Sequence, residues 1–338
     1  MSLNAFDTHP LVLSGIVFKK STGIYHVRSG ERVVTCAISN RLRKVLIYPI
    51  ADRSSIGHHR VVDIEDIHMV DPVAIGDEVV YTDAGEGSGL ITEVRPRRTQ
   101  LTRRAPGPKP LEQVIVANVD VVIPVVSGAQ PKPRWGMIDR YLASAESCGV
   151  AAMVCVTKID LLRKHQMDEL MEVVEDYRRI GYAVLLTNSS TGDGIEALRE
   201  KLTGKLSALV GMSGVGKTTL LNAVQPGLGL RVSAVNVMLD KGRHTTTNLE
   251  MFPLDGGGYI VDTPGMKTFG LWDTDMDDVG LLFPEIAPFV GQCKFGLDCQ
   301  HQTEPGCAVK AAMERGEISG RRYRNYLSIR DQPTAELK

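Results

Sequence analysis

Leu206 to Val224 reads LSALVGMSGVGKTTLLNAV: a short apolar run, a glycine-rich turn, then a stretch with helical spacing. At its centre, Gly211-Met212-Ser213-Gly214-Val215-Gly216-Lys217-Thr218 matches the eight-residue phosphate-loop pattern, placed between strand and helix as that loop requires. Glycines let successive backbone N–H groups converge on a phosphate at the positive end of the following helix. Lys217 is expected to bridge the β- and γ-phosphates and to act in catalysis. Thr218 is expected to give a hydroxyl to Mg²⁺, with Thr219 next to it in the nucleotide-binding set.

The loop alone does not choose between ATP and GTP. Upstream, Thr157-Lys158-Ile159-Asp160 follows the strand-like AAMVCV and matches the guanine-recognition pattern [N/T]-K-x-D. Its aspartate can accept hydrogen bonds from guanine N1–H and the exocyclic amine, and Lys158 can lay its stem along the base. Thr157 stands where asparagine is commoner, so a weaker polar contact near N7 is expected. Alternatively, these four residues are only strand-end caps. After the next strand-like run come Asn188, Ser189 and Ser190, whose backbone can read guanine O6.

Downstream, Asp262-Thr263-Pro264-Gly265 follows GGYIV and matches D-x-x-G, Asp262 holding Mg²⁺ through water and the Gly265 amide sensing the γ-phosphate. A plain β-turn has the same composition. Between loop and turn, Lys241 to Thr247 (KGRHTTT) has the position of the first switch, where one threonine completes the Mg²⁺ shell. Met266, after Gly265, cannot orient a water. His244 is the nearest neutral ring nitrogen for that task, and a solvent-facing loop histidine is the equal alternative.

In an ordinary GTPase the guanine motifs come last. Here TKID and NSS precede the phosphate loop, and GRHTTT and DTPG follow it, a circularly permuted order. The same sheet can form because the chain ends of such domains lie close together at the surface. The second switch then leads straight into the C-terminal segment.

The 338 residues allow two or three domains. From Leu11 to Arg104, short β-branched runs broken by glycine (SGIVFKK, GIYHVRSG, RVVTCAIS, KVLIYPI, GDEVVYTD, GLITEVRPR) predict a small barrel over 1–110. The five-stranded oligonucleotide-binding type is the first choice and an SH3-like barrel the alternative, with an insertion over 51–70. APGPKP, 105–110, reads as a linker. Strand–helix alternation over 111–272 predicts a mostly parallel α/β sheet with helices on both faces. The remainder, 273–338, is helix and loop around a Cys/His cluster.

Hydrophobic content of 43% and charged content of 23% are ordinary for a globular chain, and a net charge of -1 argues against a non-specific nucleic-acid coat. No apolar run reaches the roughly 18 residues of a membrane span, and the first residues lack a signal-peptide layout, so a cytoplasmic protein without membrane contact is expected. Cys36, Cys148 and Cys155 read as buried thiols. Cys293, Cys299, His301 and Cys307, spaced x5, x and x5, form the ligand set of a closed tetrahedral zinc site, hence one structural Zn²⁺ per chain.

These residues together resemble the ribosome small subunit-dependent GTPase family, bacterial assembly factors also found in plastids. The likeness spans the barrel, GMSGVGKTT, GRHTTT, DTPG, the RRTQLTRR run and CKFGLDCQHQTEPGCA. It implies a late role on the small ribosomal subunit and its rRNA, with GTP hydrolysis stimulated by the subunit. It also implies water positioning by His244 and a switch ligand in Thr246. A monomer is expected. Arg95, Arg97, Arg98, Arg103 and Arg104, and further on Arg321, Arg322, Arg324 and Arg330 with Tyr323 and Tyr326, suggest RNA contacts, a solvated charged face being the plain alternative. Two other readings are an RNA-binding scaffold with a vestigial GTPase and an ATP-dependent metabolic enzyme. The intact Lys217, Thr218, Asp262 and Asp160 oppose the first, and TKID opposes the second.

Overall fold

A computed structural model describes residues 11–21, 23–45, 71–104, 112–228, 250–262, 271 and 276–331. These fall into two compact units. One holds the described residues up to Asn118 together with Glu250 and Met251; the other runs from Val119, and again from Phe252.

In the first unit, β1 (Val12–Ser21), β2 (Ile24–Ser29), β3 (Arg32–Ile38), β4 (Glu78–Gly85) and β5 (Ser88–Val94) lie in the order β1-β2-β3-β5-β4, and β4 returns to pair with β1. Only β3 and β5 run parallel. This is the five-stranded barrel of the oligonucleotide-binding type, not the SH3-like alternative. Alternation drives it: in β3 the inward positions Val34, Cys36 and Ile38 are buried while the residues between them face out. Tyr25, Val27, Val79, Tyr81 and Ile91 complete the core.

Three sequence expectations change here. KVLIYPI was expected as a strand, but Lys44 and Val45 close a short helix, α1 (Asn40–Val45), which starts where the Ser39 hydroxyl accepts the Leu42 N–H at 3.2 Å. The rest of that run and the 51–70 insertion lie outside the described residues. The expected linker, 105–110, also lies outside them. The strands flanking it, β6 (Gln100–Arg104) and β7 (Glu112–Ala117), pair antiparallel, so the chain passes from one unit to the other after Asn118 instead. Thirdly, Arg97 is not a free RNA ligand. Its guanidinium grips the buried Asp77 with two bonds, 2.7 and 2.8 Å, while Asp77 also accepts the Ala74 N–H.

The second unit contains β8 (Val121–Ser127), α2 (Trp135–Ser147), β9 (Ala151–Thr157), α3 (Lys164–Arg179), β10 (Ala183–Leu186), α4 (Ile195–Leu202), β11 (Leu206–Val210) and α5 (Lys217–Val224). β12 (Glu250–Pro253) and β13 (Tyr259–Asp262) follow. Strands β10, β9, β8, β11 and β13 neighbour one another in that order, every pair parallel. All residues of β8 and β11 are buried, as continuous apolar runs require when both faces of a sheet are covered.

Beyond residue 276 the chain forms single turns and two helices, α6 (Ala308–Glu314) and α7 (Gly320–Arg330), around Phe283, Ile286, Val309, Ala312, Ile318, Tyr326 and Ile329. Ala143 of α2 belongs to the same apolar cluster. The expected basic, base-stacking face on α7 is therefore corrected. Arg322, Arg330, Tyr323 and Tyr326 are buried, and Arg321 lies over the rings of Trp135 and Tyr177; Arg324 alone of these is exposed.

Candidate functional site

The carboxyl ends of the parallel strands bring the motifs to one edge of the sheet, the edge at which open α/β folds bind ligands. The glycine-rich loop joins β11 to α5. Gly211 must lack a side chain, because a Cβ there would lie 2.5 Å from the Val125 carbonyl oxygen. Gly216, at φ +97°, turns the loop into α5 and exposes the first N–H groups of that helix.

Lys217 is buried, and its Nζ donates to the carbonyl oxygens of Gly211 (2.8 Å) and Met212 (3.1 Å), which holds the amine over the loop. Burial lowers its pKa, opposed by the charge of Asp262. Asp262 ends β13 and is level with Leu209 on β11. Burial pushes its carboxyl up and Lys217 pulls it down. One of its oxygens, Oδ1, is buried without a hydrogen-bond partner. A buried acceptor left open in this way is suited to a hydrated cation. Thr218 is half-buried in the first turn of α5.

Thr157 ends β9. Its hydroxyl lies 2.5 Å from the Val215 carbonyl oxygen in the phosphate loop and 3.3 Å from that of Val126. Lys158 follows in the left-handed region (φ +58°), and its Nζ donates to Gly214 O and Gln130 O, both at 2.7 Å. Asp160 is exposed in a single 3-10 turn, Ile159–Leu161. The neighbouring strand β10 leads to Asn188, whose Oδ1 accepts the Ser190 N–H (2.9 Å) and the Thr191 N–H (3.4 Å), shaping the turn that carries Ser189 and Ser190. TKID and the phosphate loop, 58 residues apart, are thus hydrogen-bonded to each other.

His244, Thr245, Thr246 and Thr247 in the first switch, and Gly265 and Met266 in the second, lie outside the described residues. Sequence reasoning missed the Ser127–Gln130 turn that fixes Lys158, because its contribution is a backbone carbonyl, to which residue type is no guide.

Cys293, Cys299, His301 and Cys307 are all buried, and their ligand atoms lie within 4.8 Å of one another. His301 Nδ1 is 3.4 Å from both Cys293 Sγ and Cys307 Sγ, and those sulfurs are 3.9 Å apart. A tetrahedral ion with bonds of about 2.3 Å to sulfur requires sulfur–sulfur edges of about 3.8 Å, so the cluster has the size of a metal site. The backbone prepares it: Ala308 N–H points at Cys293 Sγ (3.3 Å), Lys310 N–H at Cys307 Sγ (3.4 Å), and the Tyr323 hydroxyl donates to His301 O. No described cysteine is in a disulfide.

The model of the RsgA GTPase family matches residues 94–272, more than half of the chain. The chain belongs to the RsgA GTPase family. Among its relatives, a protein of Gemmatimonas aurantiaca named small ribosomal subunit biogenesis GTPase RsgA is 42% identical over 269 residues, covering 79% of this chain and 86% of the relative. One of the same name from Bacteroides fragilis is 36% identical over 318 residues, 94% and 96% of the two chains. The crystal structure of YjeQ from Thermotoga maritima superposes with a TM-score of 0.71 at 32% identity, covering 97% of this chain and 99% of that one. That of YloQ, described as a circularly permuted GTPase, gives 0.68 at 28% identity over 99% and 98%. This RsgA-family chain shares the permuted order, with TKID at the end of β9 and GMSGVGKT after β11.

Proposed function

We propose that this chain is a GTP-hydrolysing assembly factor in late maturation of the small ribosomal subunit, its turnover stimulated by the subunit. The observation that carries the reading is the bonding of Thr157 and Lys158 to the Val215 and Gly214 carbonyls, which joins a guanine motif to a phosphate loop. The relatives named as small-subunit biogenesis GTPases supply the setting.

In this reading Asp160, Lys158, Ser189 and Ser190 hold guanine, and residues 211–219 wrap the phosphates. Thr218, Asp262 and Thr246 hold Mg²⁺, whose chemistry is to neutralise charge on the β- and γ-phosphates. Lys217 swings from the loop carbonyls to the phosphate oxygens. His244 orients a water whose oxygen bonds to the γ-phosphorus as the bond to the β-bridging oxygen breaks, leaving GDP and phosphate. The Cys/His cluster holds one structural zinc, its four donors leaving no open position for catalysis. None of the described helices is long and apolar enough to cross a membrane, and the chain works as a cytoplasmic monomer.

GTP and ATP turnover, measured with and without purified small subunits, tests the reading. Stimulation of GTP hydrolysis alone is expected. Equal turnover of both nucleotides, or no response to the subunit, removes it. The scaffold and ATP-enzyme alternatives gain nothing from the geometry.

A further inference from the structure

We infer that this protein recognises guanine without reading N7, because Thr157 spends its only donor on the phosphate loop. The inference rests on the proposed GTP site and specifies how that site selects its base.

Thr157 is 3% exposed at the end of β9. A threonine hydroxyl has one proton to give. Two carbonyl oxygens lie within reach, Val215 O at 2.5 Å and Val126 O at 3.3 Å, and both are acceptors. Whichever takes the proton, the shorter bond to Val215 first, the hydroxyl turns only lone pairs toward any third partner. Guanine N7 is itself an acceptor, and two acceptors do not bond. An asparagine at this position would bring two N–H donors, enough for a loop carbonyl and N7 together.

Of the three Lys158 protons, two go to Gly214 O and Gln130 O, and Asn188 is held through its side-chain oxygen by the Ser190 and Thr191 N–H groups. Thr157 is thus a positioning residue. It ties β9 to the loop, as the van der Waals distance of 3.6 Å from its Oγ1 to a Cβ placed on Gly216 also indicates. Base choice is left to the Watson–Crick edge and O6.

The test is equilibrium binding of GDP, 7-deaza-GDP and ADP to the full chain with Mg²⁺. 7-Deaza-GDP carries C–H in place of N7. The wild-type protein is expected to bind GDP and 7-deaza-GDP within about twofold of each other, and Thr157→Asn to prefer GDP by about fivefold or more, the worth of one recovered hydrogen bond. Thr157→Val is expected to weaken both ligands equally, and Thr157→Ser to restore them. A wild-type preference for GDP over 7-deaza-GDP of about fivefold or more would overturn the inference whether or not the variants fold, since N7 would then have a donor. Failure to prefer GDP over ADP would overturn the guanine-site reading itself, and this inference with it.

Discussion

Asp139 of α2 and Arg322 of α7, 183 residues apart in the chain, meet at 2.8 Å with both side chains withdrawn from solvent. The remaining nitrogens of Arg322 bond Glu285 at 2.6 and 3.0 Å, and its guanidinium lies 4.5 Å from the centre of the Phe283 ring. Asp139 also accepts the Tyr177 hydroxyl and the Asn325 amide, each at 2.5 Å. Burial, then the charge of Asp139, holds Tyr177 protonated well above the ordinary range, so it stays a donor. The helix behind the metal cluster is locked in this way to a helix that packs on the nucleotide-binding sheet.

Breaking that pair takes from two buried carboxylates, Asp139 and Glu285, the guanidinium that they share. Arg322→Met is expected to cost about 3–5 kcal/mol of stability, read as a fall in the urea midpoint, whereas Arg324→Ala on the exposed side of α7 should cost under about 0.5 kcal/mol. Equal effects from the two would mean the network contributes no more than surface charge.

The metal cluster should carry about one zinc per chain by elemental analysis. Cys299→Ser and Cys307→Ser are each expected to lose the metal and to loosen α6, whose first N–H groups are aimed at Cys307 and Cys293. Unchanged zinc content in both variants would take these residues out of the ligand set.

Base selectivity should follow the Asp160 carboxylate, exposed in its one-turn helix. Asp160→Asn is expected to weaken GTP and let xanthosine triphosphate compete, because xanthine presents an acceptor where guanine has its amine. Full retention of GTP preference would show that another group reads the Watson–Crick edge.

His244→Ala should keep GTP affinity and subunit association while losing most of the stimulated turnover. Met266 has no group to align a water, and Lys217 addresses only the charge on the phosphates. Loss of GTP binding, or intact stimulation, would assign the water-positioning role elsewhere.

What the sequence alone determined was local in its physics. GMSGVGKT needs a particular backbone, and only glycine meets Val125 at 211, so the motif is legible without a partner in view. The alternation of apolar runs with helical spacing declared the α/β unit, and the order of TKID before the loop declared the permutation. Three cysteines and a histidine within 15 residues, Cys293 to Cys307, made a metal site the natural reading.

Tertiary structure alone decided what the charged and hydroxyl groups do. Arg97 and Arg322 look like RNA ligands in the chain, and each instead neutralises a buried carboxylate, on Asp77 20 residues away and on Asp139 183 residues away. Thr157 looks like a weakened base contact, and its proton goes to Val215. The linker-like 105–110 stretch lies between two strands that pair with each other. A residue's own type sets what it can donate or accept, but its partner is chosen by which distant group the fold buries beside it, because a charge or hydroxyl removed from water must be satisfied there.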